Sequence, residues 1–137
     1  MDERPEGATR AGEPTPNRIL REMNDEGHFK ASVLVSTEGL PLSSASSPFD
    51  TETLAAVVAL VKNTMQQTRE HIGLDDIDEF SIVQVDKMRL ICPYLVVGDE
   101  ELNLSVIAPP HQTYRRLTNQ AIKEITTVWT RFSTALS

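Results

Sequence analysis

The sequence predicts an α+β domain in which a five-stranded antiparallel sheet is covered on both faces by three helices. Two periodicities point to it. Strand-like segments alternate apolar and polar residues with period two, and other segments repeat apolar residues at three and four. The connections between consecutive strands are hairpin-short, which makes the pairings antiparallel. The order along the chain is helix, two strands, helix, three strands, helix, so both sheet faces can be covered.

With 137 residues, 39% of them hydrophobic, the chain is sized for one domain. Residues 1–15 read as a disordered acidic, Pro-rich N-terminal tail, with too few large apolar side chains to offset the entropy of ordering. Residues 16–137 form the domain. Thr15-Pro16 starts the first helix, with Pro at the first helical position. Ile19, Leu20 and Met23 form its stripe, and Gly27 is placed to end it. In "HFKASVLVS", Phe29, Ala31, Val33 and Val35 alternate with Lys30, Ser32, Leu34 and Ser36 as a first strand. "TEG" at 37–39 is a turn, with Gly39 suited to positive φ. "LPLSS" returns as the second strand, and Pro41, which cannot donate to a ladder, belongs at a sheet edge. "ASSP" is a loop.

Asp50 caps a long second helix, which Gly73 closes after Ile72. "LDDIDE" is a polar connection, "FSIVQV" the third strand, "DK" a turn, and "MRLICPYLVV" the fourth strand. Pro93 predicts a bulge or bend there. After the turn "GDE", "LNLSVIA" is a fifth strand with Leu102, Leu104, Val106 and Ala108 on one side. "PP" at 109–110 breaks the chain. The last helix begins near Gln112, with Tyr114, Leu117, Ala121, Ile125, Val128 and Phe132 on one face.

Composition excludes several functions. Lys and Arg number 13 against 20 Asp and Glu, a net charge of −7. A nucleic-acid or anionic-membrane partner needs the opposite balance. No apolar run is long enough to span a bilayer, so direct membrane insertion is not expected, and the N-terminus lacks the apolar core of a secretion signal. The single cysteine, Cys92, allows no internal disulfide. A cytoplasmic protein is the expectation.

Catalytic and cofactor chemistry is also missing from the pattern. No two of the six glycines stand at the spacing of a phosphate-binding loop. His28, His71 and His111 are far apart, and "DDIDE" at 75–79 lacks the glycine and distant Glu of a calcium loop. Arg115-Arg116 reads as an exposed polar face, able to touch an acidic partner. No catalytic residue, cofactor or metal is therefore expected, and the chain is not read as an enzyme.

The second helix carries "LAAVVALV" at 54–61, apolar all round. Placed at 100° intervals, Leu54, Val58, Val61, Met65 and Ile72 form a sheet-facing stripe with Val57 at its edge. Ala55, Ala56, Ala59 and Leu60, then Asn63 and Gln67, lie opposite. Alanine's helix propensity alone explains three exposed Ala. Leu60 beside them instead suggests a helix–helix seam, since contiguous apolar surface marks an interaction site. The same helix in a second copy would make the contact self-complementary.

"KASVLVSTEGLPLSS" followed by "DTETLAAVVALV" resembles the signature of the roadblock-type domain, the family of the dynein light chain roadblock. The resemblance covers roughly residues 16–134. It implies a profilin-like fold with sheet order 2-1-5-4-3, the first and last helices on one face and the second on the other. It implies a homodimer made by edge-to-edge pairing of third strands and packing of second helices. The interface residues would then be Ala55, Ala56, Ala59, Leu60, Asn63, Gln67, Ser81 and Val83. It further implies a non-enzymatic adaptor that binds and regulates a small Ras-like GTPase. A structural subunit of a motor or signalling complex is the alternative, and a small-molecule sensor is a third reading. Pro93 and "PPHQTYRRLTNQ", which lacks a glycine common in the family, depart from the pattern.

Overall fold

The computed structural model describes residues 14–45 and 50–136. The 1–15 tail and the "ASSP" loop fall almost entirely outside them. The elements are α1 (Pro16–Gly27), β1 (Ala31–Val35), β2 (Pro41–Ala45), α2 (Thr51–Thr68), β3 (Glu79–Val83), β4 (Arg89–Val97), β5 (Glu100–Ala108) and α3 (Arg115–Leu136). The strands form one sheet of order β2-β1-β5-β4-β3, with every pairing antiparallel. This is the α+β architecture and strand order expected.

Local chemistry sets most element ends. The Thr15 hydroxyl accepts from the Arg18 N–H at 3.2 Å, and Pro16 follows at the first helical position. Gly27 does not supply the left-handed cap expected of it. That conformation falls on His28 (φ 56), whose N–H closes on the Asn24 carbonyl. Gly27 is needed for space: a Cβ there would stand 2.5 Å from Phe29 Cζ and 2.8 Å from Leu117 Cδ1. Asp50 caps α2 by accepting from the Glu52 and Thr53 N–H groups at 3.1 and 3.2 Å. Thr53 also donates to it through its hydroxyl, and these bonds hold the Asp50 carboxyl below its ordinary range. The helix stops at Thr68, earlier than Gly73 implied. The Thr64 and Thr68 hydroxyls bond back to carbonyls one turn earlier, and residues 69–73 form turns that end at Gly73 (φ 79). Ile72 is consequently outside the helix and exposed. α3 likewise begins later than Gln112, at Arg115.

The core has two parts, one per sheet face. Under α1 and α3 lie Ile19, Leu20, Met23, Leu117, Ala121, Ile125, Val128 and Trp129. Against them pack Leu34, Ile91, Leu95, Leu102, Leu104, Val106 and Ala108 from the sheet. Each fully buried Leu or Ile contributes about 2 kcal/mol. The β5 alternation read from the sequence is the centre of this layer. On the other face Val33, Val35 and Cys92 meet Ala55 and Val58 of α2, with Leu54, Phe80 and Leu90 partly buried around them. β1 is buried on both faces.

Pro41 stands on the edge strand β2, where the β1–β2 register shifts by one. Pro93 produces no shift: β4 and β5 keep one register from Arg89↔Ala108 to Val97↔Glu100. The Asn103 side chain donates to the Pro93 carbonyl at 3.1 Å, which satisfies the backbone where the ladder is interrupted.

Candidate functional site

The two edges of the sheet are built differently. Asn17 Oδ1 accepts from the Ser44 N–H at 3.2 Å and from the Ser43 hydroxyl, and Asn24 donates to the Ala45 carbonyl at 3.1 Å. With Pro41 and the register shift, α1 therefore closes the β2 edge to a further strand.

Among the described residues no strand pairs with the outer edge of β3. The Tyr94 N–H bonds the Asp78 carbonyl at 2.9 Å and the Gln84 N–H bonds the Met88 carbonyl at 2.8 Å. The even-numbered residues of β3 thus face β4, and alternation turns the N–H and C=O groups of Glu79, Ser81 and Val83 outward. Ser81 and Val83, both named from the sequence, are exposed on this edge. Val85, read as strand, lies beyond β3 at the hairpin tip and is wholly exposed.

On the α2 side of the sheet several large apolar side chains meet solvent. Leu60 is 66% exposed, Val57 45%, Ile82 44% and Val96 61%. Ala56, Asn63 and Gln67 are exposed along the same helix. Ala55 and Ala59 are not part of that outer face. They are 0% and 6% exposed and point at the body of the domain, a correction to the angular reading. Their smallness lets α2 approach the β1–β2 turn: a Cβ at Gly39 (φ 91) would lie 3.3 Å from Ala59 Cβ. Leu54 and Val61, which the 100° spacing puts at the middle of the sheet-facing stripe, are only partly buried, so the buried face is turned toward Ala55 and Ala59. A groove of about 340 Å³ runs between the start of α2 and the β3–β4 hairpin, lined by Leu54, Val57, Met88, Leu90 and Ile107.

Polar residues beneath α2 escaped the sequence reading. Lys62 is 2% exposed, pairs with Glu101 Oε1 of β5, and lies 5.4 Å from the Tyr94 ring centroid. Desolvation, then the charge of Glu101, pushes the Tyr94 phenol up to about 12. Burial likewise pushes the Cys92 thiol up to about 12, so this thiol is a core filler and not a nucleophile. No signal in "VALVK" marked Lys62 as inward, because its partner is 39 residues away. Among the described residues no group of three His, Cys, Asp or Glu converges in a way that could hold a metal.

The Roadblock/LC7 domain model matches residues 17–93, more than half of the chain. The chain belongs to the Roadblock/LC7 family. Solved structures agree in fold. MglB of Myxococcus xanthus matches this roadblock domain with a TM-score of 0.72 at 22% identity, over 84% of this chain and 94% of that one. A Roadblock/LC7 domain from Streptomyces avermitilis matches with a TM-score of 0.69 at 17% identity, over 83% and 97%. The gliding protein MglB of Thermus thermophilus matches with a TM-score of 0.67 at 18% identity, over 91% and 96%. A search of curated proteins finds no match. The roadblock match spans α1 to the middle of β4 and so includes both the α2 outer face and the open β3 edge.

Proposed function

We propose that this roadblock protein is a cytoplasmic homodimeric adaptor that binds a small Ras-like GTPase and regulates its nucleotide cycle without donating a catalytic group. One observation carries the dimer: the β2 edge is closed by Asn17, whereas among the described residues no strand pairs with the outer edge of β3, and α2 exposes Leu60. Pairing β3 with its counterpart satisfies the outward backbone groups of Ser81 and Val83 and makes one sheet of the two. Packing α2 on α2 buries Leu60, worth about 2 kcal/mol in each copy. The GTPase reading rests on family membership and on the likeness to MglB proteins.

The test uses the purified protein as bait in lysate supplemented with GDP or a non-hydrolysable GTP analogue. Enrichment of a small GTPase in one nucleotide state supports the reading. A stable partner that is not a GTPase and ignores nucleotide assigns the protein to structural accessory work instead.

A further inference from the structure

Although the protein carries a net charge of −7, four cations, Lys87, Arg89, Arg115 and Arg116, line one pair of adjoining recesses. A cleft of about 420 Å³ is lined by Arg89 of β4, His111 and Tyr114 of the β5–α3 loop, and Arg115 and Arg116 of α3. A neighbouring recess shares Arg89 and His111 and adds Lys87. These groups come from two separate segments, residues 87–89 and 111–116, so no single amphipathic element explains their meeting.

The cleft is held in shape. Arg89 donates through Nη2 to the carbonyls of Pro109 and Gln112, which pins the loop that follows the double proline. The Arg89 and Arg115 guanidiniums each lie 5.4 Å from the centroid of the Tyr114 ring. The Tyr114 hydroxyl in turn donates to Glu79 at 2.6 Å, a bond that raises its pKa. Lys87 (φ 74) and His111 (φ 62) both hold left-handed backbone without being glycine, so both loops are tightly determined.

We infer that this cleft is a docking site for an acidic peptide segment of a partner protein. The arms that would reach the partner are Arg115 and Arg116, whose side chains are 67% and 72% exposed. Each already carries a carboxylate of the domain itself, Glu79 at 3.7 Å and Glu26 at 3.0 Å. Arg116 thus already donates to a carboxylate, and Arg115 stands at ion-pair distance from one while it donates to the Tyr114 hydroxyl. Exposed pairs of this kind exchange readily with water and with an incoming carboxylate. The open cleft offers no glycine-rich backbone cradle of the kind that holds a phosphate. The acidic remainder of the surface repels an anionic bilayer. The inference stands on a single protomer and does not depend on the dimer.

The experiment measures fluorescence anisotropy of a labelled peptide of alternating Glu and Gly against the full chain at ~150 mM salt, where surface charges act over roughly 8 Å. The same peptide with Gln for Glu, inorganic phosphate as competitor, and vesicles containing phosphatidylserine are the comparison arms. Saturable binding of the Glu peptide alone, weakened at least about fivefold by Arg116→Glu and by Arg115→Glu, is expected. Arg116→Gln should weaken it less than the reversal. Thermal melts and light scattering show whether each variant keeps its fold and assembly. Equal affinity in the wild type and both folded reversals overturns the inference. So does displacement by millimolar phosphate, or binding of the vesicles in place of the peptide.

Discussion

Lys62 on α2 and Glu101 on β5 form an ion pair of 2.5 Å, in which the lysine side chain is 3% exposed and the glutamate 43%. The cation is thus inside and the anion at the rim. A buried charge left alone costs several kcal/mol, whereas an apolar group of the same length costs little. Glu101→Ala should therefore destabilise by about 1–3 kcal/mol in urea denaturation, a range lowered by the solvent around Glu101. Lys62→Met should cost less. The reverse ranking would show that the pair itself, and not the stranded lysine, dominates.

Alkaline pH should weaken the fold. The Cys92 thiol rises from 9.0 to about 12 and the Tyr94 phenol from 10.0 to about 12, both chiefly through desolvation. Each group is neutral when protonated, so the unfolded chain ionises first as pH rises. Stability is fully present below pH 9 and is lost progressively toward pH 12. The urea midpoint should fall between pH 8 and pH 11, and by less in Cys92→Ala. Tyr94→Phe should also flatten the profile. The Tyr94 hydroxyl is buried with no hydrogen-bond partner among the described residues, so this change should leave stability at pH 7 equal or higher.

Gly27→Ala places a methyl group against Phe29 and Leu117, neither of which can retreat from the packed α1–α3 layer. A loss of about 1–3 kcal/mol is expected. His28→Gly removes the left-handed strain one residue later and should raise the melting temperature. Calorimetry of the two variants separates a need for space from a need for positive φ.

The fold was legible wherever a residue's role follows from its immediate neighbours. Pro16 and Asp50 mark helix starts, Leu102 to Ala108 alternate, and Pro41 excludes a central strand, all for local reasons. The α2 faces were less legible. Size alone sends Val58, Val61 and Met65 inward and alanine outward, yet close approach to Gly39 requires Ala55 and Ala59 inside. The burial of Lys62 leaves no mark in its own neighbours, since it depends on Glu101 and Tyr94 from other strands. Pro93 shows the same limit, since Asn103 of β5 supplies the bond that removes the need for a bulge. The Arg89–Tyr114–Arg115 cluster was invisible in its full form because its members are joined only by the folded sheet.

The open β3 edge makes a residue-level prediction. The Val83 N–H points away from β4, so Val83→Pro removes an outward donor and leaves the β3–β4 ladder intact. Leu60→Asp acts on the helix instead, by placing an unpaired charge in the contact. Each should lower the assembly state while the thermal melt of the isolated domain remains cooperative.

Light scattering on the eluting wild-type protein at micromolar concentration decides whether the chain pairs with itself. A dimer joined through α2 and β3 has a mass of twice the 15.2 kDa chain, which should fall to that of one chain in Leu60→Asp and in Val83→Pro. A wild type that runs as a single chain, or two folded variants that remain dimers, would contradict it.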